Sequence, residues 1–146
     1  MAEPSSHVAP LRPSVPRALG AWGVAALLCV ALDLLWLGVL MRGFYDAALG
    51  PLKRPEAYAP AAAMFYLLYT FGIGIYAVAS ARSTRHAALR GAGLGFAVYA
   101  GFELTCWAVL QGWPARLVPV DTAWGVILTA TVAAATHKLV MPKAHP

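Results

Sequence analysis

The sequence has few charged residues. Only 12% of its 146 residues are Asp, Glu, Lys or Arg, whereas 60% are hydrophobic. A soluble domain of this size cannot bury so many apolar side chains, so the shortage of charge excludes an ordinary soluble protein and indicates the bilayer as solvent. The net charge of +5 is not gathered in a basic patch with interleaved aromatic residues, so we expect no nucleic-acid partner.

Cysteine and histidine are also scarce, with two and four residues respectively. Cys29 and Cys106 lie inside apolar segments and do not suggest a secreted disulfide framework or a zinc site. No histidine pair at mid-depth suggests a bis-histidine haem, and no histidine–carboxylate cluster suggests di-iron. Phosphate loops, nucleophile elbows and dinucleotide turns are missing too. We therefore predict no metal and no other cofactor, and the sequence leaves open whether the chain is an enzyme.

What the sequence does contain is four long apolar runs. Each is long enough to cross the hydrocarbon core as a helix, and none shows the alternation of barrel strands. We predict an all-α, polytopic membrane protein with a four-transmembrane-helix bundle over residues 18–140. The helices are expected at about 18–41, 59–80, 91–111 and 118–137. Residues 1–17 are predicted to be a disordered, proline-rich tail, and 141–146 a short C-terminal tail.

Lys and Arg residues between the runs predict the orientation. The side with both termini has seven: Arg12, Arg17, Arg82, Arg85, Arg90, Lys138 and Lys143. The opposite side has four: Arg42, Lys53, Arg54 and Arg116. This excess predicts that both termini are cytoplasmic. The margin is modest because the first outer loop carries three of the four cations.

Three acids lie within or at the edge of the predicted helices, and the predicted topology puts all of them in the outer half of the membrane. Each acid is followed by a tryptophan three or four residues later, which places both side chains on one face of the helix. An indole N–H can donate a hydrogen bond to a carboxylate. The pairs are Asp33 with Trp36, Glu103 with Trp107, and Asp121 with Trp124.

Tyr66, Tyr69 and Cys106 belong to the same depth, so we predict one acidic, aromatic cavity that opens toward the outer leaflet. A carboxylate at the bilayer centre costs about 2.5–3.5 kcal/mol, whereas an interhelical hydrogen bond contributes about 0.6 kcal/mol on average. The difference favours a functional role for Asp33. If Asp33 and Glu103 approach each other, we expect them to share a proton.

Structural interpretations of the same residues stay open. Asp33 and Glu103 could simply lock the bundle through hydrogen bonds, and Asp121 suits the N-terminal turn of a helix. Ordinary packing accounts for Tyr66 and Tyr69, and an interfacial aromatic belt accounts for Trp22 and Trp113.

Small residues are spaced for close contact between helices. The predicted contact positions are Gly91 with Gly95, the ridge of Gly93, Ala97 and Gly101, and Ala130 with Ala134.

Four motifs in order resemble one family. They are "LDLLWLGVLMRGFYDAALG" (32–50), "FYLLYTFGI" (65–73), "YAGFELTCWAVLQGWP" (99–114) and "VDTAWGVILTA" (120–130). Together they resemble the bacterial predicted membrane proteins known as domain of unknown function 2177, over about residues 20–140. The resemblance implies a four-helix, multi-pass protein of the bacterial inner membrane and supplies no established activity, substrate or cofactor. It also implies a genomic neighbourhood of fatty-acyl cyclopropane synthase-like and other lipid-modifying genes.

Asp33, Trp36, Asp121 and Trp124 fall on matching positions of the family motifs, but the third motif departs from the pattern. The family typically reads Tyr-Asp-Leu-Thr-Asn where this chain reads "FELTC" at 102–106. The acid is therefore one methylene longer, and a thiol replaces an amide. If the amide is essential to a family chemistry, this member lacks or alters it.

The leading functional hypothesis is a membrane protein that binds a lipid or other amphiphile in the predicted cavity. It would act with lipid-modifying or envelope-stress systems, for example as an accessory subunit. One alternative is a small proton-coupled transporter that uses Asp33 and Glu103 and works as an oligomer. Another is a non-catalytic assembly factor. The expected partners are the lipid bilayer, an amphiphile, and a second copy or another membrane protein.

Overall fold

The computed structural model describes residues 14–141. Most of the two predicted tails, residues 1–17 and 141–146, lies outside this part of the chain. The last residues of the first tail, 15–17, are helical instead. Between the tails the chain is helical, with no strand among residues 14–141. Four of its helices are long and apolar enough to cross a membrane. The predicted all-α fold with four membrane-spanning helices is therefore confirmed.

Five α-helices follow one another, and two of them end in π-helical turns. Helix α1 spans Val15–Leu35 and continues as a π-helix over Trp36–Leu40. The short helix α2 spans Arg42–Leu49. Helix α3 spans Ala59–Gly72 and continues as a π-helix over Ile73–Ala79. Helices α4 and α5 span Thr84–Val109 and Leu117–Val140.

Two of these elements differ from the sequence expectation. Helix α4 begins seven residues before the predicted start at 91, because the Ser83 side chain caps it by accepting a hydrogen bond from the His86 N–H at 3.1 Å. Helix α2 lies within the predicted first outer loop. It is a short amphipathic helix that buries Tyr45 and exposes Arg42 and Asp46, so a search for long apolar runs does not find it.

The antiparallel order of the long helices gives the bundle two ends. The start of α1, the α3–α4 connection and the end of α5 share one end, which we call the terminal side. The segment containing α2 and the α4–α5 connection share the other end, which we call the α2 side. All three acids of the predicted cavity lie in the half of the bundle toward the α2 side, as their shared depth predicts.

Helices α4 and α5 make the closest helix pair in the bundle. A Cβ on Gly91 would lie 2.5 Å from the Thr129 carbonyl oxygen, and a Cβ on Gly95 would overlap the Gly125 carbonyl. The predicted contact role of Gly91 and Gly95 is thus confirmed. The predicted ridge that includes Gly93 is wrong.

The three residues of this predicted ridge, Gly93, Ala97 and Gly101, are all exposed. A Cβ built on Gly93 or Gly101 would meet nothing within 4 Å. They lie on the opposite face of α4 from Gly91 and Gly95. Ala130 and Ala134 are half-buried. Gly125, Thr129 and Ala133 provide the tight contacts of α5 instead.

The core is tight on the terminal side and loose on the α2 side. The π-helical part of α3 packs against α1, α4 and α5, whereas the Ala59–Gly72 part packs mainly against α1. The tight half is filled by buried residues from all four long helices: Ala21, Ala25, Cys29, Ile73, Ala77, Val78, Ala87, Leu128, Val132 and Ala133. The separation of α3 from α4 toward the α2 side leaves room for a cavity.

Candidate ligand cavity

A cavity of about 580 Å³ occupies the loose half of the bundle, and we call it the main cavity. All five α-helices contribute to its walls. Phe65 of α3 and Phe102 of α4 line it and are still 40% and 56% exposed, so it reaches the lipid-facing surface between these helices. The lining residues are Asp33, Leu37, Tyr45, Ala62, Phe65, Tyr66, Val98, Tyr99, Phe102, Asp121 and Trp124.

Asp33 is a buried carboxylate with both oxygens hydrogen-bonded. Its side chain is only 4% exposed. The Trp124 indole N–H donates to Oδ1 at 2.7 Å, and the Tyr66 hydroxyl donates to Oδ2 at 2.8 Å. These donors come from α5 and α3, so Asp33 of α1 ties three helices together and fixes two walls of the cavity.

Asp121 accepts a hydrogen bond from the buried phenol of Tyr45, which α2 carries into the bundle. The Tyr45 oxygen accepts one in turn from the Trp36 indole N–H at 3.2 Å. Burial and the hydrogen bond to Asp121 raise the pKa of the Tyr45 phenol well above its ordinary value. Tyr45 therefore stays protonated and keeps its role as donor to Asp121.

A stacked tryptophan pair joins the two carboxylate networks. The rings of Trp36 and Trp124 lie with their centroids 4.3 Å apart and their planes at 4°. Trp124 binds Asp33, while Trp36 binds Tyr45. A displacement of either indole therefore affects the partners of both Asp33 and Asp121.

Glu103 is fully buried, and the acid beside it is not the one expected. Its Oε2 accepts a hydrogen bond from the Trp113 indole N–H at 2.9 Å. Its buried Oε1 has no hydrogen-bond partner among residues 14–141, and Asp121 is the neighbouring acid. The hypothesis of a proton shared between Asp33 and Glu103 therefore moves to Glu103 and Asp121, since two carboxylates hydrogen-bond only when one carries a proton.

The predicted cavity residues divide into three groups. Asp33, Tyr66, Asp121 and Trp124 line the main cavity. Trp36, Tyr69 and Glu103 lie behind this lining: Tyr69 pairs its hydroxyl with Thr129 and stacks on Phe65 with centroids 5.2 Å apart. Cys106 is half-buried on α4, and Trp107 is 52% exposed on the outside of the bundle.

The structure pairs the acids with tryptophans across helices, not along one helix. Trp124 binds Asp33 and not Asp121, and Trp113 binds Glu103 in place of Trp107. The reason is geometric. A carboxylate that points into a bundle meets side chains from the facing helices, and an indole is long enough to cross the gap. The spacing of three or four residues identified the right face for Asp33 and Asp121 but the wrong partner.

Tyr45 and Tyr99 line the cavity and Trp113 bonds a buried carboxyl group. Sequence reasoning missed these three positions or assigned them elsewhere. Trp113 was placed in an interfacial belt, yet it donates to buried Glu103. Trp22 was placed there too, yet its indole donates to Thr70 of α3 at 3.0 Å. The apolar face of the segment 42–49 is the one sequence signal for Tyr45, because it indicates an amphipathic helix against the bundle.

The cavity offers an apolar space with a few polar groups near the α2 side. Within residues 14–141, no group of three or more His, Cys, Asp or Glu side chains is arranged to hold a metal ion. The two cysteines are free, and neither lines the cavity. Aromatic and aliphatic walls with few convergent polar groups are typical of sites for small apolar or amphiphilic ligands.

One comparison with known proteins identifies similar sequences. The family model described as "Predicted membrane protein (DUF2177)" matches residues 19–138. No curated protein and no solved structure matches the chain.

Proposed function

Because this chain belongs to the DUF2177 family of predicted membrane proteins, whose description names no activity, we propose a function from the main cavity itself: the protein binds the hydrocarbon chain of a lipid or similar amphiphile within the bilayer. The observation that carries this proposal is the lateral position of the cavity. It is reached between α3 and α4, and its apolar walls hold Asp33, Tyr45 and Asp121 near the α2 side.

The size and lining of the cavity support a chain-binding role. Its volume of about 580 Å³ falls within the range of about 300–1,000 Å³ typical of ligand sites. Five of its lining residues have wholly apolar side chains: Leu37, Ala62, Phe65, Val98 and Phe102. Trp124 adds an indole that is apolar except for an N–H already bonded to Asp33. An acyl chain can enter such a space from the bilayer without crossing water.

The polar groups support a ligand with a polar end. Asp33 is already paired with two donors, so it holds Trp124 and Tyr66 in position. Asp121 is only half-buried and lines the cavity. Asp121 is therefore the acceptor best placed to meet a hydroxyl or amide of the amphiphile.

The tight core of the terminal side favours binding over transport. A proton-coupled transporter needs a polar route through the whole bundle. On the terminal side the helices are sealed by apolar side chains such as Ile73, Val78 and Val132, all fully buried. The accessible space therefore ends within the bundle, as expected for a binding site open to one side.

Two adjacent alanines provide a matched test. Ala62 lines the main cavity, whereas Ala63 is exposed on the neighbouring face of α3. Ala62→Trp should fill the cavity. The probe is a phospholipid with a diazirine in its acyl chain, and its photo-crosslinking to the protein should fall in this variant. The loss should be greatest on the peptides that contain Phe65 and Phe102. Ala63→Trp should leave this labelling unchanged. Equal labelling of both variants and the parent protein would contradict the proposal.

A further inference from the structure

A second cavity, of about 560 Å³, lies on the α2 side, and we call it the headgroup pocket. Its walls come from the end of α1, both ends of α2, the α2–α3 connection and the α4–α5 connection. The lining residues are Leu37, Gly38, Arg42, Leu49, Leu52, Lys53, Arg54, Pro55, Ala57 and Trp113.

Three cations converge on the headgroup pocket and no acid lines it. Asp46 of α2 offsets part of this charge: it pairs with Lys53 and lies 3.8 Å from Arg42. The hydrogen bond from Lys53, together with the nearby charge of Arg42, holds the pKa of Asp46 below its ordinary value. Arg54 has no carboxylate partner among residues 14–141 and lies over the Tyr58 ring at 5.7 Å.

These cations are not needed for the predicted orientation. Lys and Arg on the non-cytoplasmic side weaken the positive-inside signal, yet three of the four cations on the α2 side line this one pocket. Their arrangement fits an anionic ligand, since a cationic one would be repelled.

The pocket is also amphipathic. Its apolar wall consists of Leu37, Leu49 and Leu52, next to the cations. Two membrane spans end close to it, at Leu40 and at Ala59, so the pocket lies at the level of the lipid headgroups. Leu37 lines the main cavity as well, so the two cavities adjoin. Trp113 lines the headgroup pocket and donates to Glu103, which links the pocket to the buried carboxyl groups.

We propose that the headgroup pocket binds the phosphate of an anionic phospholipid whose acyl chain enters the main cavity. The phosphate would lie among Arg42, Lys53 and Arg54, with the planar guanidinium groups suited to two phosphate oxygens. The placement of the acyl chain rests on the proposed function of the main cavity. The charge recognition rests on the pocket alone.

Native mass spectrometry tests the proposal with the full chain purified from micelles that contain equal amounts of phosphatidylglycerol and phosphatidylcholine. The parent protein should retain phosphatidylglycerol preferentially. In the triple variant Arg42→Gln, Lys53→Gln, Arg54→Gln, the ratio of retained phosphatidylglycerol to retained phosphatidylcholine should fall about tenfold. The control Arg82→Gln, Arg85→Gln, Lys138→Gln removes the same charge from exposed positions on the terminal side and should keep it.

Several outcomes overturn the proposal. A preference that survives the triple variant, or is lost equally in the control, shows that the pocket does not select the headgroup. Displacement of phosphatidylglycerol by inorganic phosphate alone shows a free-phosphate site in its place. The single variant Arg54→Gln should weaken the preference and serves if the triple variant does not fold.

The failure of the main-cavity proposal gives a different result. Ala62→Trp should lower retention of both lipids while the remaining lipid keeps the same headgroup preference. If Ala62→Trp leaves retention unchanged and the triple variant still abolishes the preference, the headgroup site stands and the acyl-chain site does not.

Discussion

The carboxylate of Asp33 lies in an apolar helix because two donors from neighbouring helices replace the water it loses. Burial of an unpaired carboxylate would cost several kcal/mol, whereas a carboxylate with both oxygens paired recovers most of this cost. Trp124 and Tyr66 supply the donors. The same bonds orient two aromatic walls of the main cavity, so the pairing that offsets the burial of Asp33 also shapes the cavity.

Removal of one donor to Asp33 should destabilise the protein. Tyr66→Phe deletes the hydroxyl that bonds Oδ2 and leaves a buried acceptor unpaired, which we expect to lower the free energy of unfolding by about 1–3 kcal/mol. Equilibrium unfolding in mixed micelles measures this loss. Tyr58→Phe is the control, because Tyr58 is 60% exposed, and equal effects of both substitutions would refute the assigned role.

Glu103 and Asp121 present the opposite situation, because a buried carboxyl oxygen of Glu103 has no hydrogen-bond partner among residues 14–141 and the neighbouring group is a second acid. One proton held between the two groups would satisfy both. Glu103→Gln supplies an amide N–H in place of that proton and keeps an oxygen for Trp113. We therefore expect it to unfold with a free energy equal to or above that of the parent protein.

Glu103→Leu removes the acceptor for Trp113 as well and should cost about 1–3 kcal/mol. Infrared difference spectra of the parent protein should contain the C=O band of a protonated carboxylic acid, and this band should vanish in Glu103→Gln. A Gln variant as unstable as the Leu variant would count against the shared proton.

Among the helices, α4 and α5 pack most tightly, whereas α3 packs closely against them only in part. Glycines at Gly91, Gly95 and Gly125 let the backbones of α4 and α5 meet, and dispersion and hydrogen bonding hold helices together where lipid removes the hydrophobic driving force. Helix α3 follows this pair closely only in its π-helical part. The access to the main cavity therefore depends on where α3 separates from α4.

Two glycines one half-turn apart on α4 should respond differently to alanine. In Gly95→Ala the new methyl group overlaps the Gly125 carbonyl, so α4 and α5 must separate, at a cost of about 1–3 kcal/mol. In Gly93→Ala the methyl group meets nothing within 4 Å, and the better helix propensity should make the change neutral or stabilising by up to about 1 kcal/mol. Thermal unfolding followed by circular dichroism compares the two, and similar shifts would disprove this contact.

For the whole molecule, the two sides of the bundle carry different features. The terminal side has the tight apolar core, whereas the α2 side has both cavities and the carboxyl network. If the termini are cytoplasmic, as the Lys and Arg distribution predicts, both cavities belong to the outer half of the membrane. The orientation thus decides which leaflet supplies the proposed ligand.

Cysteine labelling measures this orientation. In a chain with Cys29→Ala and Cys106→Ala, the substitution Glu56→Cys places a thiol on the α2 side, and Arg82→Cys places one on the terminal side; both positions are exposed. A membrane-impermeant maleimide added to spheroplasts should label the first variant at once and the second only after lysis. The reverse order would show that the α2 side is cytoplasmic.

Several properties of this chain follow from local composition and can be predicted without the structure. Length and hydropathy place the four spans, since a helix crosses the bilayer only if about 20 residues in a row are apolar. The number of residues between each acid and the ends of its span also predicts that Asp33, Glu103 and Asp121 lie at a similar depth. Glycine spacing also identified Gly91 and Gly95 as contact positions, although it did not separate them from the exposed Gly93 and Gly101.

Which side chains meet depends on how the helices pack against one another. The pairing of Asp33 with Trp124 and Tyr66, of Glu103 with Trp113, and of Asp121 with Tyr45 depends on how each helix is rotated and where it crosses its neighbours. Sequence spacing fixes positions within one helix and contains no direct measure of rotation between helices. The depth of the polar groups is therefore a local property of the chain, whereas their partners and the cavities between them arise from packing.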